Sequence, residues 1–215
     1  MHRGEERWFQ ASSDYNCRKE YGAATCVEAQ QDLFTLQNSA TMKPDTDRTT
    51  RIRFPEAQDA APIWRLVQSG GGLDLNSSYF YSLACRHFRE SCAVAMTDDG
   101  HLAGFVVGHR PTNNPDTLFV WQVAVAPTER GRGLAQSMIQ WLRGQAVPAL
   151  RWIEATVTPS NRSSRALFEG IARRLDCPIH EQVWASAEEF PVPHEPEILL
   201  RIGPIASQGY SNENN

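Results

Sequence analysis

No apolar run in the 215 residues approaches the roughly 18 needed to cross a bilayer. The opening Met-His-Arg-Gly-Glu-Glu has none of the apolar core of a signal peptide. Positive charge is scarce too: a net charge of -4 leaves no broad basic face to displace counterions from a nucleic acid. Neither a membrane nor a nucleic acid is therefore expected as a partner. The five cysteines form no Cys-x-x-Cys pair, and their odd count suits a reduced, cytoplasmic protein. His194 and Glu197 have no third ligand at suitable spacing, so no metal is expected.

Material for one core is present, with 41% hydrophobic residues and six tryptophans. Residues 1–48 are rich in Gln, Ser, Thr, Asn and Glu without sustained period, and are expected to be a mostly disordered extension. Within them 27–36 is a candidate short helix. The alternatives are a docking arm or a start codon placed too far upstream. The domain is expected over 49–204, with a flexible tail over 205–215. Periodicity and turn signals predict strands over 51–54, 91–97, 102–110, 118–126, 151–158, 179–185 and 197–202. Helices are predicted over 60–68 (capped by Asp59), 78–88, 134–142 and 162–175 (capped by Asn161). This order gives an α+β fold of mixed α/β layers, a central mixed sheet of about seven strands flanked by about four helices. The crossover over 118–157 should be right-handed and locally parallel.

The stretch 120–135, V-W-Q-V-A-V-A-P-T-E-R-G-R-G-L-A, organises the rest. A strand breaks at Ala126-Pro127 and feeds a helix through Arg130-Gly131-Arg132-Gly133. Such a turn leaves main-chain N–H groups unpaired at the positive end of a helix dipole. The glycines let a phosphate approach the backbone, and two arginines offer forked donors to its oxygens. A Gly-rich turn alone is weak evidence, since many only join elements; the preceding strand, the Pro break and the arginines favour a pyrophosphate cradle.

Arg130-x-x-Gly133-x-Ala135 resembles the acetyl-CoA motif of the GCN5-related N-acetyltransferases (GNAT), Gln/Arg-x-x-Gly-x-Gly/Ala, over roughly residues 50–202. The resemblance implies the GNAT-type fold and acetyl-CoA as co-substrate. It implies that N–H groups of Arg130, Gly131, Arg132, Gly133, Leu134 and Ala135 hold the pyrophosphate. Val123 and Val125 would pair with the pantetheine arm. In Asn161-x-x-Ser164-x-x-Leu167-Phe168, Asn161 matches the residue that approaches the cofactor arm, beside its plain role as helix cap. Phe168 stands where the family commonly carries a tyrosine that protonates the leaving thiolate. A phenyl ring donates no proton, and core packing is the preferred reading for it. A thiol of pKa near 8.5 can leave without full protonation.

Three further blocks resemble the diaminobutyrate acetyltransferases of ectoine biosynthesis within that superfamily. They are Leu73-Asp74-Leu75-Asn76-Ser77-Ser78-Tyr79, Phe119-Val120-Trp121-Gln122-Val123-Ala124-Val125 and His194-Glu195-Pro196-Glu197-Ile198-Leu199. The long N-terminal arm departs from that family. The resemblance implies a substrate pocket of Asp74, Asn76, Tyr79, Trp121, His194 and Glu197. A pocket for a diamino acid should mix carboxylates, hydrogen-bond donors and an aromatic face, and these residues supply them. Taken singly, Trp121 could equally be core, the 73–79 block a capped loop and His194 an exposed loop residue.

The reaction implied is acetyl transfer to the terminal amine, giving N4-acetyl-L-2,4-diaminobutyrate, with Glu197 as base and Glu154 as runner-up. Cys85 and Cys92 read as packed thiols rather than nucleophiles. A homodimer is expected from the family. The rivals are a GNAT enzyme for another amine (a polyamine, an antibiotic or a protein N-terminus) and a non-catalytic acyl-CoA-binding sensor.

Overall fold

The structure, a computed structural model, describes residues 49–70 and 73–206. The expectations for 1–48, including a helix at 27–36, lie outside the described residues. Seven strands form one sheet in the order β1-β2-β3-β4-β5-β7-β6. They are β1 Thr50–Arg53, β2 Ala93–Thr97, β3 Leu102–His109, β4 Thr117–Val125, β5 Trp152–Val157, β6 Ile179–Ala185 and β7 Glu197–Ile202. Only β4 and β5 are parallel neighbours; the remaining pairs are antiparallel.

The helices are α1 Ala60–Gly70, α2 Ser78–His87, α3 Leu134–Gln145 and α4 Arg162–Leu175. On one face, Ile63 and Val67 of α1 and Tyr81, Ala84 and Cys85 of α2 pack on Val94, Phe105 and Val107. On the other, Met138, Ile139 and Leu142 of α3 and Phe168 and Ile171 of α4 pack on Val106, Leu118, Ile153 and Leu200. Each helix thus buries one stripe, as its apolar spacing requires.

Asp59 does not cap α1 in the simple way expected. A 3-10 turn over Ala57–Asp59 precedes the helix, and the buried carboxylate instead receives Arg53 at 2.7 and 2.9 Å and the Glu56 N–H at 2.6 Å. The helix predicted over 134–142 runs to Gln145. Ile205, placed in the tail by the sequence, is a core residue whose N–H donates to Arg151 O at 2.8 Å. That main-chain bond links residues far apart in sequence and leaves no local signal.

Two irregularities interrupt the pairing of β4. First, its pairing with β5 covers only Thr117–Phe119, after which the two strands part while β5 continues against β7. Second, Val107 pairs with Gln122 but Gly108 with Val120, leaving Trp121 as an extra residue, a β-bulge. Before the bulge Leu118 and Val120 face α3 and α4; after it Val123 and Val125 do. Trp121 and Gln122 therefore emerge consecutively on the α2 side. Gly108 opposite makes room: a Cβ there would stand 2.7 Å from Phe119 O and 3.0 Å from Ser91 O.

Candidate active site

Where β4 leaves β5, one strand edge is open. Ala126 N–H donates to Ala103 O on the β3 side, so by alternation the N–H and C=O of Val123 and Val125 face the gap. Arg130 Nε donates to Val125 O at 3.3 Å, as that orientation requires. An extended amide-bearing chain laid in the gap would complete the ladder, and Val123 and Val125 are both on that open edge.

The cradle follows. A 3-10 turn over Pro127–Glu129 leads to Gly131 at φ +78° and Gly133 at φ +72°, the latter capping α3. The left-handed backbone needs glycine at both positions, and a Cβ at either would meet nothing within 4 Å. The first bond of α3 runs from Ser137 N to Gly133 O, so the N–H groups of Leu134, Ala135 and Gln136 precede its ladder. Arg130, Gly131, Gly133, Leu134 and Ala135 border a cleft of about 310 Å³ closed on its far side by α4 at Ala166, Leu167 and Gly170. A larger hollow of about 570 Å³ at the opposite end of α4, around Arg173, Asp176 and Cys177, has neither open strand edge nor helix N-terminus.

The two arginines of the motif differ. Arg132 forms an ion pair with the buried carboxylate of Glu129, so its guanidinium braces the turn. Arg130 is exposed. Asn161 caps α4, its Oδ1 receiving Ser164 N–H at 3.1 Å. Phe168 is 2% exposed inside the core, in agreement with its reading as packing. Cys85 and Cys92 are also core, and burial pushes their thiols up to about 11 and about 12, far from a nucleophilic thiolate.

The predicted pocket residues that lie on strands, Trp121 and Glu197, share one face of the sheet. Ile153, Ala155, Val157, Leu200 and Ile202 belong to the core under α3 and α4, so Glu154, Glu197 and Arg201 project to the opposite face, with Phe119 and Trp121. Trp121 is 54% exposed, and its ring lies 5.0 Å from Phe80 and 6.4 Å from His109, so it is not core. Burial among these rings pushes the His109 imidazole below its ordinary value. His194 stacks on Phe190 with centroids 4.1 Å apart, and its Nε2 is 3.9 Å from Glu197 Oε1. Glu154, the runner-up base, pairs with Arg201 at 3.2 Å, whose guanidinium lies over Trp152 at 4.2 Å. Glu195 accepts from Ser160 N–H at 3.1 Å and ties the His194 segment to the loop before Asn161.

The 73–79 block enters α2 through Ser77, whose hydroxyl accepts from Phe80 N–H at 3.2 Å. Asp74 is exposed, Asn76 half-buried and Tyr79 74% exposed. Sequence reasoning missed what anchors this loop. Gln122 Nε2 donates to Asp74 O at 2.7 Å, and the buried Tyr81 hydroxyl donates to Gln122 Oε1 at 2.9 Å. The polar pair Trp-Gln interrupting an apolar strand was the available signal.

Among the described residues, no group of three or more His, Cys, Asp or Glu is placed to hold a metal ion, and no helix is long and apolar enough to cross a membrane. Residues 57–171 match the model of the Acetyltransferase (GNAT) family. The L-2,4-diaminobutyric acid acetyltransferase of Nocardia farcinica is 45% identical over 161 residues, covering 74% of this chain and 83% of that protein. A diaminobutyrate acetyltransferase from Paenibacillus lautus, solved with its substrate L-2,4-diaminobutyric acid and coenzyme A, is 42% identical with a TM-score of 0.70. That match covers 74% of this chain and 97% of the solved one. The ribosomal-protein-S18-alanine N-acetyltransferase from Escherichia coli shares the fold alone, at 16% identity and a TM-score of 0.56 over 76% of this chain and 98% of that one.

Proposed function

Because the chain belongs to the GNAT acetyltransferases, and within them to the L-2,4-diaminobutyric acid acetyltransferases, we propose that it transfers the acetyl group of acetyl-CoA to the terminal amine of L-2,4-diaminobutyrate. The observation that carries this reading is the parting of β4 from β5. It opens the Val123–Val125 edge of the strand that carries the exposed indole and leads to the Gly131–Gly133 turn, and Glu154 and Glu197 lie on the indole's face of the sheet.

The terminal amine resembles that of lysine, so at pH 7 only on the order of one molecule in a thousand is neutral. Glu197, directly or through water, takes the proton. Asp74 pairs with the second ammonium, and the Trp121 face holds the cationic chain before reaction. Asn76, Tyr79 and His194 orient the amino acid. The nitrogen attacks the thioester carbon, and a strand N–H near 123–125 supports the oxyanion. A C–N bond forms and the C–S bond breaks. The thiolate leaves without a proton from residue 168. The nitrogen gives one of its two protons to Glu197, which has passed the first on to solvent, and keeps the other as the amide N–H. N–H groups of residues 130–135 hold the pyrophosphate, and Asn161 the cofactor arm.

The product belongs to ectoine synthesis and so to the response to osmotic stress, in the cytoplasm where acetyl-CoA is made. A homodimer is part of the same reading, supported by Val183 and Trp184, both more than half exposed on the edge strand β6. Light scattering after gel filtration checks it, with twice the mass of the chain expected. The activity is tested by thiol release from acetyl-CoA across a panel of amines. Diaminobutyrate should exceed ornithine, lysine and spermidine in kcat/KM by at least tenfold. Preference for a polyamine would favour another amine enzyme, and silence with every amine would favour the sensor.

A further inference from the structure

Two consecutive residues of α2 meet two consecutive residues of β4. Phe80 lies against Trp121 with ring centroids 5.0 Å apart, and Tyr81 donates to Gln122 at 2.9 Å. The second pair is buried, Tyr81 at 0% and Gln122 at 6% exposure. A carbonyl oxygen only accepts, so the amide nitrogen of Gln122 must face Asp74 O and its oxygen must face Tyr81, whose hydroxyl then donates. Both groups of the amide are used, in one orientation. The bulge at Trp121 makes this possible: in a regular strand Gln122 and Trp121 would lie on opposite faces.

We propose that Gln122 is a positioning residue that fixes the height of the Asp74 loop over the acetyl-transfer strand, and through it the length of diamine the pocket accepts. The inference rests on the diaminobutyrate reading for its substrate. The loop carries the carboxylate that would hold one ammonium, while the strand carries the edge where the other nitrogen reacts. Gln122 joins them by a single buried side chain. Chain-length selection therefore depends on the loop–strand spacing that this amide sets. Without its donor, Asp74 O loses a buried partner and the loop can rise.

The test compares Q122M, Q122E and Y81F with the wild-type chain. Methionine matches glutamine in length but donates nothing. Glutamate accepts from Tyr81 yet cannot donate to Asp74 O when ionised. Hydrogen exchange of amides 73–78 should speed up at least tenfold in Q122M and Q122E, with exchange in α3 unchanged. The KM for diaminobutyrate should rise about tenfold while that for acetyl-CoA stays within twofold. The kcat/KM preference for diaminobutyrate over ornithine should shrink about tenfold, whereas general loss of structure would lower both in proportion. Y81F keeps the bond to Asp74 O and should stay within threefold of wild type throughout. Unchanged exchange in Q122M overturns the proposal whatever the activity, and so does faster exchange with an unaltered diamine preference. A wild-type chain that fails to acetylate diaminobutyrate overturns the functional reading instead, and the exchange result still decides whether Gln122 holds the loop.

Discussion

His194 Nε2 lies 3.9 Å from Glu197 Oε1, with the imidazole stacked on Phe190 and the carboxylate at the first residue of β7. On the proposed reading, a base at that position acts on an amine at the mouth of the splay. Glu197→Gln should lower kcat by about 10²–10³-fold with the acetyl-CoA KM within twofold of wild type. The variant's rate should keep climbing to pH 10, because free amine then forms without a base. Initial rates from pH 6 to 10 check this, and a profile parallel to the wild type's would remove Glu197 as the base.

Gly133→Ala tests the cradle. Its φ of +72° strains an alanine by roughly 1–2 kcal/mol, but the added Cβ meets nothing within 4 Å, so the domain should still fold. The methyl group would project where a phosphate approaches the main chain. Coenzyme A measured by calorimetry should bind about tenfold more weakly, and unaltered affinity would take Gly133 out of the cradle.

Phe168→Ala separates packing from chemistry. The ring is 2% exposed, and its loss should cost about 3–5 kcal/mol in urea unfolding. A stability change under about 1 kcal/mol would contradict its role as core.

His109 sets a pH dependence. Burial against Phe119 and Trp121 lowers its folded-state value below 6.5, so the unfolded chain takes up the proton first. Above pH 6.5 both states are neutral there and nothing is lost. As pH falls through 6.5 the native state loses stability, until folded His109 itself protonates. Melting temperatures from pH 8 to 5 should fall more steeply for the wild type than for His109→Gln; parallel curves would dismiss the effect.

Much of this was legible before the fold was known. Asn161 followed by an apolar stripe marked Arg162–Leu175 to the residue, because a cap and a 3.6-residue period act locally. The turn before α3 was legible for the same reason: glycines that must adopt positive φ sit between a strand and a helix. The bulge was not, since one extra residue at Trp121 inverts the alternation without changing composition. Neither was the Tyr81–Gln122 bond, which joins residues 41 apart in sequence. The commitment of Arg132 to Glu129 was hidden because the turn buries an acid that reads as surface. Long-range register decided these cases, and a single sequence does not carry it.

Incubation with acetyl-CoA and diaminobutyrate, followed by NMR assignment of the acetylated nitrogen, tests the account most directly. It predicts one equivalent of free thiol and acetylation confined to N4. Acetyl on the nitrogen next to the carboxylate, or no thiol release, would contradict it.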